Sequence, residues 1–287
     1  TKQVMHTMLN CLQDGFAAEK FWMYNMYDRF FAFGCSFTLY KWPTWADYLH
    51  AGNIATQYQN WALPGGSNDF IFHSLTECDA LNKINKNDLV VIMWSQPHRI
   101  ADYSHESGWD MPGNAYLYQP RDRMIQYYND EQNALENLSY FYGAKELLEN
   151  KDCAWLFTSI ERINLQEKYV KNFANITNSF HSSIAEHLGY SDKASQETDW
   201  RETLPNDRHP SPREQASFAK SLPYNLNVSE IDQLAEKAND HIFNSKRPHK
   251  QEMNVFPEKY PTHRLPDIEG KLNSGSGKLI NVNRVQS

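Results

Sequence analysis

Short apolar runs alternate with longer amphipathic segments along most of the chain. The runs are too short for core helices and are bounded by turn residues, which is typical of buried parallel strands. They cover Phe30–Phe33, Thr56–Ala62, Leu89–Trp94 and Ala154–Ile160. Helices are predicted over 42–49, 70–81, 123–150, 166–188, 211–222 and 228–243. This alternation indicates an α/β domain whose central parallel sheet is covered by helices on both faces.

Two extensions flank the predicted α/β domain, which spans residues 29–245. Residues 1–28 carry an apolar stripe at helical spacing and are expected to form a helical extension, packed on the domain or docked to a partner. Residues 246–287 hold eight basic and four acidic residues with scattered Pro and Gly, so a mildly basic, largely irregular tail is expected. Within the domain, 103–119 is predicted to be a long irregular excursion and 192–212 a polar loop.

Composition excludes several classes of protein. Hydrophobic content of 40 % and charged content of 22 % are typical of a globular protein, and no run approaches the roughly 18 apolar residues of a membrane span. The net charge of −7 argues against general nucleic-acid binding. Four widely spaced cysteines are expected to be free thiols, and the N-terminus lacks a secretory signal, so a cytoplasmic location is expected, with a virion or exported form left open.

Candidate chemistry lies where the predicted strands end, since the carboxyl ends of parallel strands meet at one edge of the sheet. Ser36 follows the first strand and precedes a predicted helix, which suits a nucleophile or an ordinary helix cap. His209 ends a polar loop just before a capped helix, where a neutral imidazole suits a general base and Asp207 would hold its tautomer.

Four blocks in this order resemble those of the SGNH (GDSL-type) hydrolase family. They are Gly34–Thr38, Asn60–Ser67, the polar turn after Trp94 and Asp207–Pro210. The resemblance covers about Phe30 to Leu222 and implies a flavodoxin-like three-layer α/β/α sandwich. Members of this family are mostly esterases, lipases and carbohydrate deacetylases, with some acyltransferases. The residues of the first block, Gly-Cys-Ser-Phe-Thr, and of the third, Trp-Ser-Gln-Pro, also resemble those of SGNH-like proteins of phages.

The resemblance implies a role for each matching residue. Ser36 would be the nucleophile, His209 the general base and Asp207 its partner. The backbone N–H groups of Ser36 and Gly65 would form the oxyanion hole, with the side chain of Gln96 as a third donor. No metal or organic cofactor is required by this chemistry.

The sequence departs from the family pattern in three blocks. Cys35 replaces the usual Asp of the first block, and Asp207 lies two residues before His209 where the family spacing is three. Gln96 stands in a Trp-Ser-Gln-Pro turn where the family has Gly-x-Asn-Asp, so the amide donor comes from a side chain one methylene longer.

The expected substrate is an acylated carbohydrate or a similar small ester. Trp109 and Tyr116 lie in the aromatic-rich excursion, where such rings stack on sugars or pin the loop to the domain. Arg99 would bind an anionic substrate group or pair with an acid at the edge of the site.

Other functions stay open at the level of sequence. An acyltransferase would use the same site, and a scaffold protein in a larger assembly would keep the fold without catalysis, with the N-terminal helix and the tail as contacts for a partner or for self-association. Cys35 as the nucleophile and a metal hydrolase built on His98, Asp207 and His209 are the minor alternatives.

Overall fold

The computed structural model describes residues 27–104, 108–114, 130–163, 176, 179–189, 209–244 and 263–264. The strands are β1 (Tyr27–Phe33), β2 (Ala55–Asn60), β3 (Asp88–Trp94), β4 (Arg99–Ser104), β5 (Gly108–Asn114), β6 (Ala154–Ser159) and β7 (His263–Arg264). The helices are α1 (Trp45–Ala51), α2 (Asn68–Asn82), α3 (Asp130–Asn150), α4 (Ile184–His187), α5 (Pro212–Ser221) and α6 (Val228–Asn244). The predicted N-terminal helix lies outside the described residues apart from its last two positions, which begin β1.

The central sheet has the strand order β6-β3-β1-β2-β7, and every neighbouring pair is parallel. From β1 the chain moves to one side to form β2, and from β3 it moves to the other side to form β6. The order therefore reverses between β1 and β3, as in flavodoxin-like sheets. In open α/β sheets, the crevice at the carboxyl ends of the two strands at this reversal is where ligands bind.

Alternate residues of the inner strands face two separate cores, which is why these strands are apolar at nearly every position. Phe30 and Ala32 of β1 face the core formed with α1, α5 and α6. Phe31 and Phe33 face the core formed with α2 and α3. The predicted α/β class is confirmed. None of the helices in the described parts of the chain combines the length and the apolar character that crossing a membrane requires.

The excursion predicted to be irregular from residue 103 is wrong where β4 and β5 form an antiparallel hairpin. In the register of this hairpin, the backbone of Tyr103 lies opposite that of Trp109. Gly and Pro within β5 concealed the strand, but they are tolerated because β5 belongs to a sheet of two strands.

The helix predicted over 166–188 is wrong at 179–183, because pairing with β6 overrides the local pattern. Phe180 bridges Phe157, and His181 N–H donates to the Phe157 carbonyl at 2.7 Å. A new helix, α4, begins only after Ser183, which forms a capping box with Glu186.

The tail, which is predicted to be largely irregular, contributes the two-residue strand β7, and its other residues lie outside the described part of the chain. His263 and Arg264 continue the sheet beside Gln59 and Asn60 at the carboxyl end of β2. The short strand forms hydrogen bonds with backbone groups of β2 that would otherwise be unpaired at the edge of the sheet.

An ion pair joins β1 to β3 at the end of the sheet opposite the reversal crevice. Arg29 donates from Nε to Asp88 Oδ1 at 2.8 Å and from Nη2 to Oδ2 at 2.6 Å. The Asp88 side chain is fully buried and also accepts the Asn85 backbone N–H at 2.8 Å. The two-pronged geometry makes this a strong pair, and the acid holds the turn before β3 as well.

We expect Asp88→Ala to lower the free energy of unfolding by about 3 kcal/mol, because it removes the buried carboxylate that binds both the guanidinium and a backbone N–H. Urea unfolding measures this loss. The control is Arg213→Ala, which breaks the exposed pair with Glu236 and is expected to act like an ordinary surface substitution. Equal losses in the two variants would contradict the prediction.

Candidate active site

Gly34 lets the chain turn sharply after β1. A Cβ at this position would lie 2.1 Å from Thr38 Oγ1 and 3.1 Å from the Met93 carbonyl oxygen, so no larger residue fits. The Cys35 carbonyl accepts hydrogen bonds from the N–H groups of Thr38 at 2.9 Å and Leu39 at 3.0 Å. These bonds close a single helical turn directly at the end of the strand.

Ser36 lies in this turn, and 6 % of its surface is exposed. Its hydroxyl and its N–H make no hydrogen bond with the residues that the structure describes. The helix predicted over 42–49 is α1, which begins at Trp45, where Thr44 and Asp47 form a capping box. Trp42 is not part of the helix, since a proline such as Pro43 disfavours helical backbone at the residue before it.

Cys35 points away from the crevice. Its thiol is fully buried in the core shared with α1, α5 and α6. A thiol in apolar surroundings is inert, so this position argues against Cys35 as the nucleophile.

His209 packs against the loop that carries Ser36. Its imidazole stacks on the ring of Tyr40, with centroids 3.7 Å apart and planes at 21°. The ring of Phe37 lies 5.2 Å from it at a tilt. Trp42 Nε1 donates to the Pro210 carbonyl at 2.9 Å and holds the histidine segment in place. The structure thus brings His209 next to the turn of Ser36, although 173 positions separate them in the sequence.

Gln215 fastens the helix after His209 to the same loop. The predicted start of this helix is confirmed: Ser211 caps α5 and Pro212 is its first residue. Gln215 is fully buried, accepts the Trp45 N–H at 3.0 Å and donates to the Phe37 carbonyl at 3.4 Å. Sequence reasoning missed this residue, whose one signal is an amide on an otherwise apolar helix face.

The turn after β2 lies against the turn after β1. The Leu63 N–H donates to the Gly34 carbonyl at 3.2 Å, and the Gly66 N–H closes the turn onto the Leu63 carbonyl at 2.9 Å. Gly65 has a φ of +85°, which a glycine adopts at little cost. Its N–H makes no hydrogen bond within the described part of the chain. The predicted oxyanion donors Ser36 and Gly65 therefore lie on two turns that are bonded to each other.

Asn60, the last residue of β2, strengthens the contact between the turns after β1 and β2. Its Nδ2 donates to the Thr38 carbonyl at 2.8 Å and to the Tyr58 hydroxyl at 2.9 Å, and its Oδ1 accepts the Ala62 N–H at 3.1 Å. Tyr58 in turn donates to the buried Asp47 carboxylate at 3.3 Å. This network joins the turns after β1 and β2 without access to water.

Asn68, at the first position of α2, holds the loop after β3. Its Oδ1 accepts the Ser95 N–H at 2.7 Å and its Nδ2 donates to the Ser95 carbonyl at 3.1 Å. The same Nδ2 donates to Asn137 Oδ1 of α3 at 2.5 Å. The Ser95 hydroxyl is buried without a hydrogen-bond partner. The three loops after β1, β2 and β3 therefore meet at one edge, as predicted.

The first turn of α2 is poor in water. Burial raises the pKa of the Asp69 carboxyl, and the hydrogen bond from the Ser67 hydroxyl opposes this rise. Burial also raises the pKa of the nearby Tyr140 hydroxyl, with a contribution from the charge of Asp69. These surroundings favour the neutral forms of both groups.

The side-chain amide of Gln96 is already engaged in a hydrogen bond. Its Nε2 donates to Glu161 Oε1 at 2.7 Å, so one of its two N–H donors is already used. Glu161 follows β6, the neighbour of β3 in the sheet. The proposed role of Gln96 as an oxyanion donor therefore depends on its second N–H.

The remaining predicted site residues are placed only in part. Asp207 and Tyr116 lie outside the described residues. The backbone of Trp109 lies in β5, and Arg99 begins β4 directly after the loop of β3. Within the described residues, no group of three His, Cys, Asp or Glu side chains is arranged to hold a metal.

Fold and site together define a doubly wound α/β protein with a serine and a histidine at the reversal crevice. No protein-family model matches the chain, and no curated protein matches its sequence. Among solved structures, it is similar to a GDSL-like lipase from Bacteroides thetaiotaomicron VPI-5482, with 15 % identity, a TM-score of 0.38, and coverage of 74 % of this chain and 89 % of that chain.

We expect Asn68→Ala to lower the free energy of unfolding by about 2 kcal/mol, since it leaves the buried N–H and carbonyl of Ser95 unpaired. Ser95→Ala is the matched control: it keeps those backbone groups and removes a buried hydroxyl that has no partner, so it should be neutral or slightly stabilising. Urea unfolding of both variants measures the difference. A loss in Ser95→Ala as large as that in Asn68→Ala would contradict this account of the loop.

The stack on Tyr40 has a spectroscopic consequence. We expect the ring protons of His209, assigned by their loss in His209→Ala, to resonate upfield of a free imidazole because they lie over an aromatic face. Tyr40→Phe keeps the ring and should keep the upfield position, whereas Tyr40→Leu should abolish it. Unshifted protons in the unaltered protein would contradict the stack.

Proposed function

We propose that the protein is a serine-dependent acyl-ester hydrolase of SGNH type, with Ser36 as the nucleophile and His209 as the general base. The observation that carries this proposal is the packing of His209 against the loop of Ser36. Phe37, the residue after Ser36, lies 5.2 Å from the imidazole, and the Trp42–Pro210 hydrogen bond holds the two segments together. The location at the carboxyl ends of β1 and β3 adds support, since ligands bind there in open α/β sheets.

The reaction proceeds in two balanced steps. The Ser36 oxygen attacks the ester carbonyl while His209 takes the hydroxyl proton, and the tetrahedral intermediate collapses as the alcohol leaves with that proton. Water then attacks the acyl-enzyme, His209 takes one of its protons and returns it to the Ser36 oxygen, and the carboxylic acid leaves. An alcohol in place of water at the second step makes the same site an acyltransferase.

The backbone N–H groups of Ser36 and Gly65 bind the oxyanion in this scheme. Two observations support them: the Leu63–Gly34 hydrogen bond joins their turns, and neither N–H is engaged by another described residue. Fixed donors of this kind need no rearrangement when the negative charge develops. Gln96 adds its second N–H to the pair.

Asp207 is proposed to hold the His209 tautomer from two residues earlier in the chain. The stack on Tyr40 restricts rotation of the same imidazole. Orientation of the base is therefore shared between an acid and an aromatic ring in this proposal.

The substrate proposed is an acylated carbohydrate or a similar small ester. Trp109 and Tyr116 are the proposed sugar-stacking residues, because exposed aromatic rings contact the apolar faces of sugars.

A fluorophosphonate probe and the burst phase of p-nitrophenyl acetate hydrolysis test the serine site. We expect Ser36→Ala and His209→Ala to lose labelling and to reduce turnover roughly 10³-fold or more. Cys35→Ala is the control for the neighbouring nucleophile and should retain both signals. Labelling lost in Cys35→Ala but kept in Ser36→Ala would assign the chemistry to the thiol.

The same experiment separates the enzyme from a scaffold protein. The hydrogen bond from Gln96 to Glu161 favours the scaffold as second candidate, because it occupies a donor that the family uses in catalysis. A folded protein that is neither labelled nor active on esters would overturn the hydrolase and support the scaffold.

A further inference from the structure

Arg99 differs from the other arginines whose side chains the structure describes. Arg29, Arg162 and Arg213 each lie within 4.0 Å of a carboxylate. Arg99 has neither an ion pair nor a side-chain hydrogen bond among the described residues. The chain has a net charge of −7, and its acids outnumber its bases. An arginine without an acid partner among the described residues is therefore unexpected and calls for a functional explanation.

The location of Arg99 supplies one. It begins β4, four residues after the Ser95 position that Asn68 holds, at the edge where the loops after β1 and β3 meet. The Arg99 N–H donates to the Gln96 carbonyl at 3.1 Å, which fixes a tight turn. Residues 96–101 are all partly buried, so Arg99 belongs to a segment that is partly removed from water.

The acid that contacts this loop does not pair with Arg99. Glu161 is bound by the Gln96 amide at 2.7 Å and forms no ion pair with Arg99. Lys41, five positions after Ser36 in the sequence, lies 5.7 Å from the centroid of the Tyr40 ring and has no carboxylate partner within the described part of the chain. The segment after β1 and the segment after β3 thus each carry one cation without a carboxylate partner.

We propose that the substrate is an ester bearing a carboxylate or phosphate group, which Arg99 binds; this rests on the hydrolase function proposed above. A guanidinium stays charged at any physiological pH and presents a planar fork that matches two oxygens of such a group. A partly desolvated cation without a counter-ion is costly, and an anionic substrate relieves that cost on binding. Lys41 adds a longer-range attraction for the same group.

Matched esters test the proposal in steady-state kinetics. 4-Acetoxybenzoate and 4-acetoxybenzamide carry the same acetyl ester and differ in the anion, and 4-acetoxyphenyl phosphate distinguishes a phosphate site from a carboxylate site. We expect the unaltered protein to prefer an anionic ester over the amide roughly ten- to hundred-fold in kcat/KM, mostly through KM. Arg99→Gln should bring this ratio close to one, Arg99→Lys should restore part of it, and the control Arg162→Gln should keep it.

A preference that survives in Arg99→Gln, or no preference in the unaltered protein, overturns the proposal. Should no ester be hydrolysed at all, binding separates the two claims. 4-Acetamidobenzoate, in which an amide replaces the ester, is titrated against the protein by NMR with 4-acetamidobenzamide as the neutral comparison. Binding of the benzoate alone that is lost in Arg99→Gln keeps the anion site although the hydrolase fails, whereas equal or absent binding of both compounds removes the anion site as well.

Discussion

Backbone groups lose their ladder partners where a buried strand ends, and three buried side-chain amides replace those partners in this protein. Asn60, Asn68 and Gln215 each accept one backbone N–H and donate to one backbone carbonyl of a loop at the same edge of the sheet. An unpaired buried backbone group is costly, and an amide satisfies a donor and an acceptor at once. A carboxylate in these positions would supply acceptors only.

The amides explain how a site assembles from loops that carry little regular structure. Asn60 joins the turns after β1 and β2, Gln215 fastens α5 to the loop of β1, and Asn68 fastens the loop of β3 to α2. Reactive side chains and oxyanion donors are useful only when supporting bonds hold them near the productive geometry. Here the support comes from residues that take no part in the proposed chemistry. The supporting amides must satisfy buried backbone groups, whereas the proposed catalytic residues must suit the reaction.

The sequence predicts the layers of the fold well because these depend on local pattern. Four apolar runs become the strands β1, β2, β3 and β6, and the Ser-Pro start of α5 is read from capping rules alone. The errors arise where distant pairing overrides the pattern, as at Phe180 beside β6 and in the β4–β5 hairpin. The S-x-x-E spacing at Ser183 was a signal of a helix start inside a longer predicted helix.

In the candidate site, too, features that depend on local pattern are predictable and features that depend on distant contacts are not. Ser36 and His209 are predictable because their chemistry is visible in residue type and position, whereas a buried Asn or Gln looks like any surface amide in a sequence. The partner of Gln215 lies 178 residues away, and no local rule connects them. Arg99 and Gln96 show the complementary limit: their residue types indicate charge and hydrogen bonding, but only the structure reveals that Gln96 binds Glu161 and that Arg99 has no acid partner among the described residues. Because Asn68 holds this loop through the backbone of Ser95, the loop is held by a residue other than those proposed to bind the substrate.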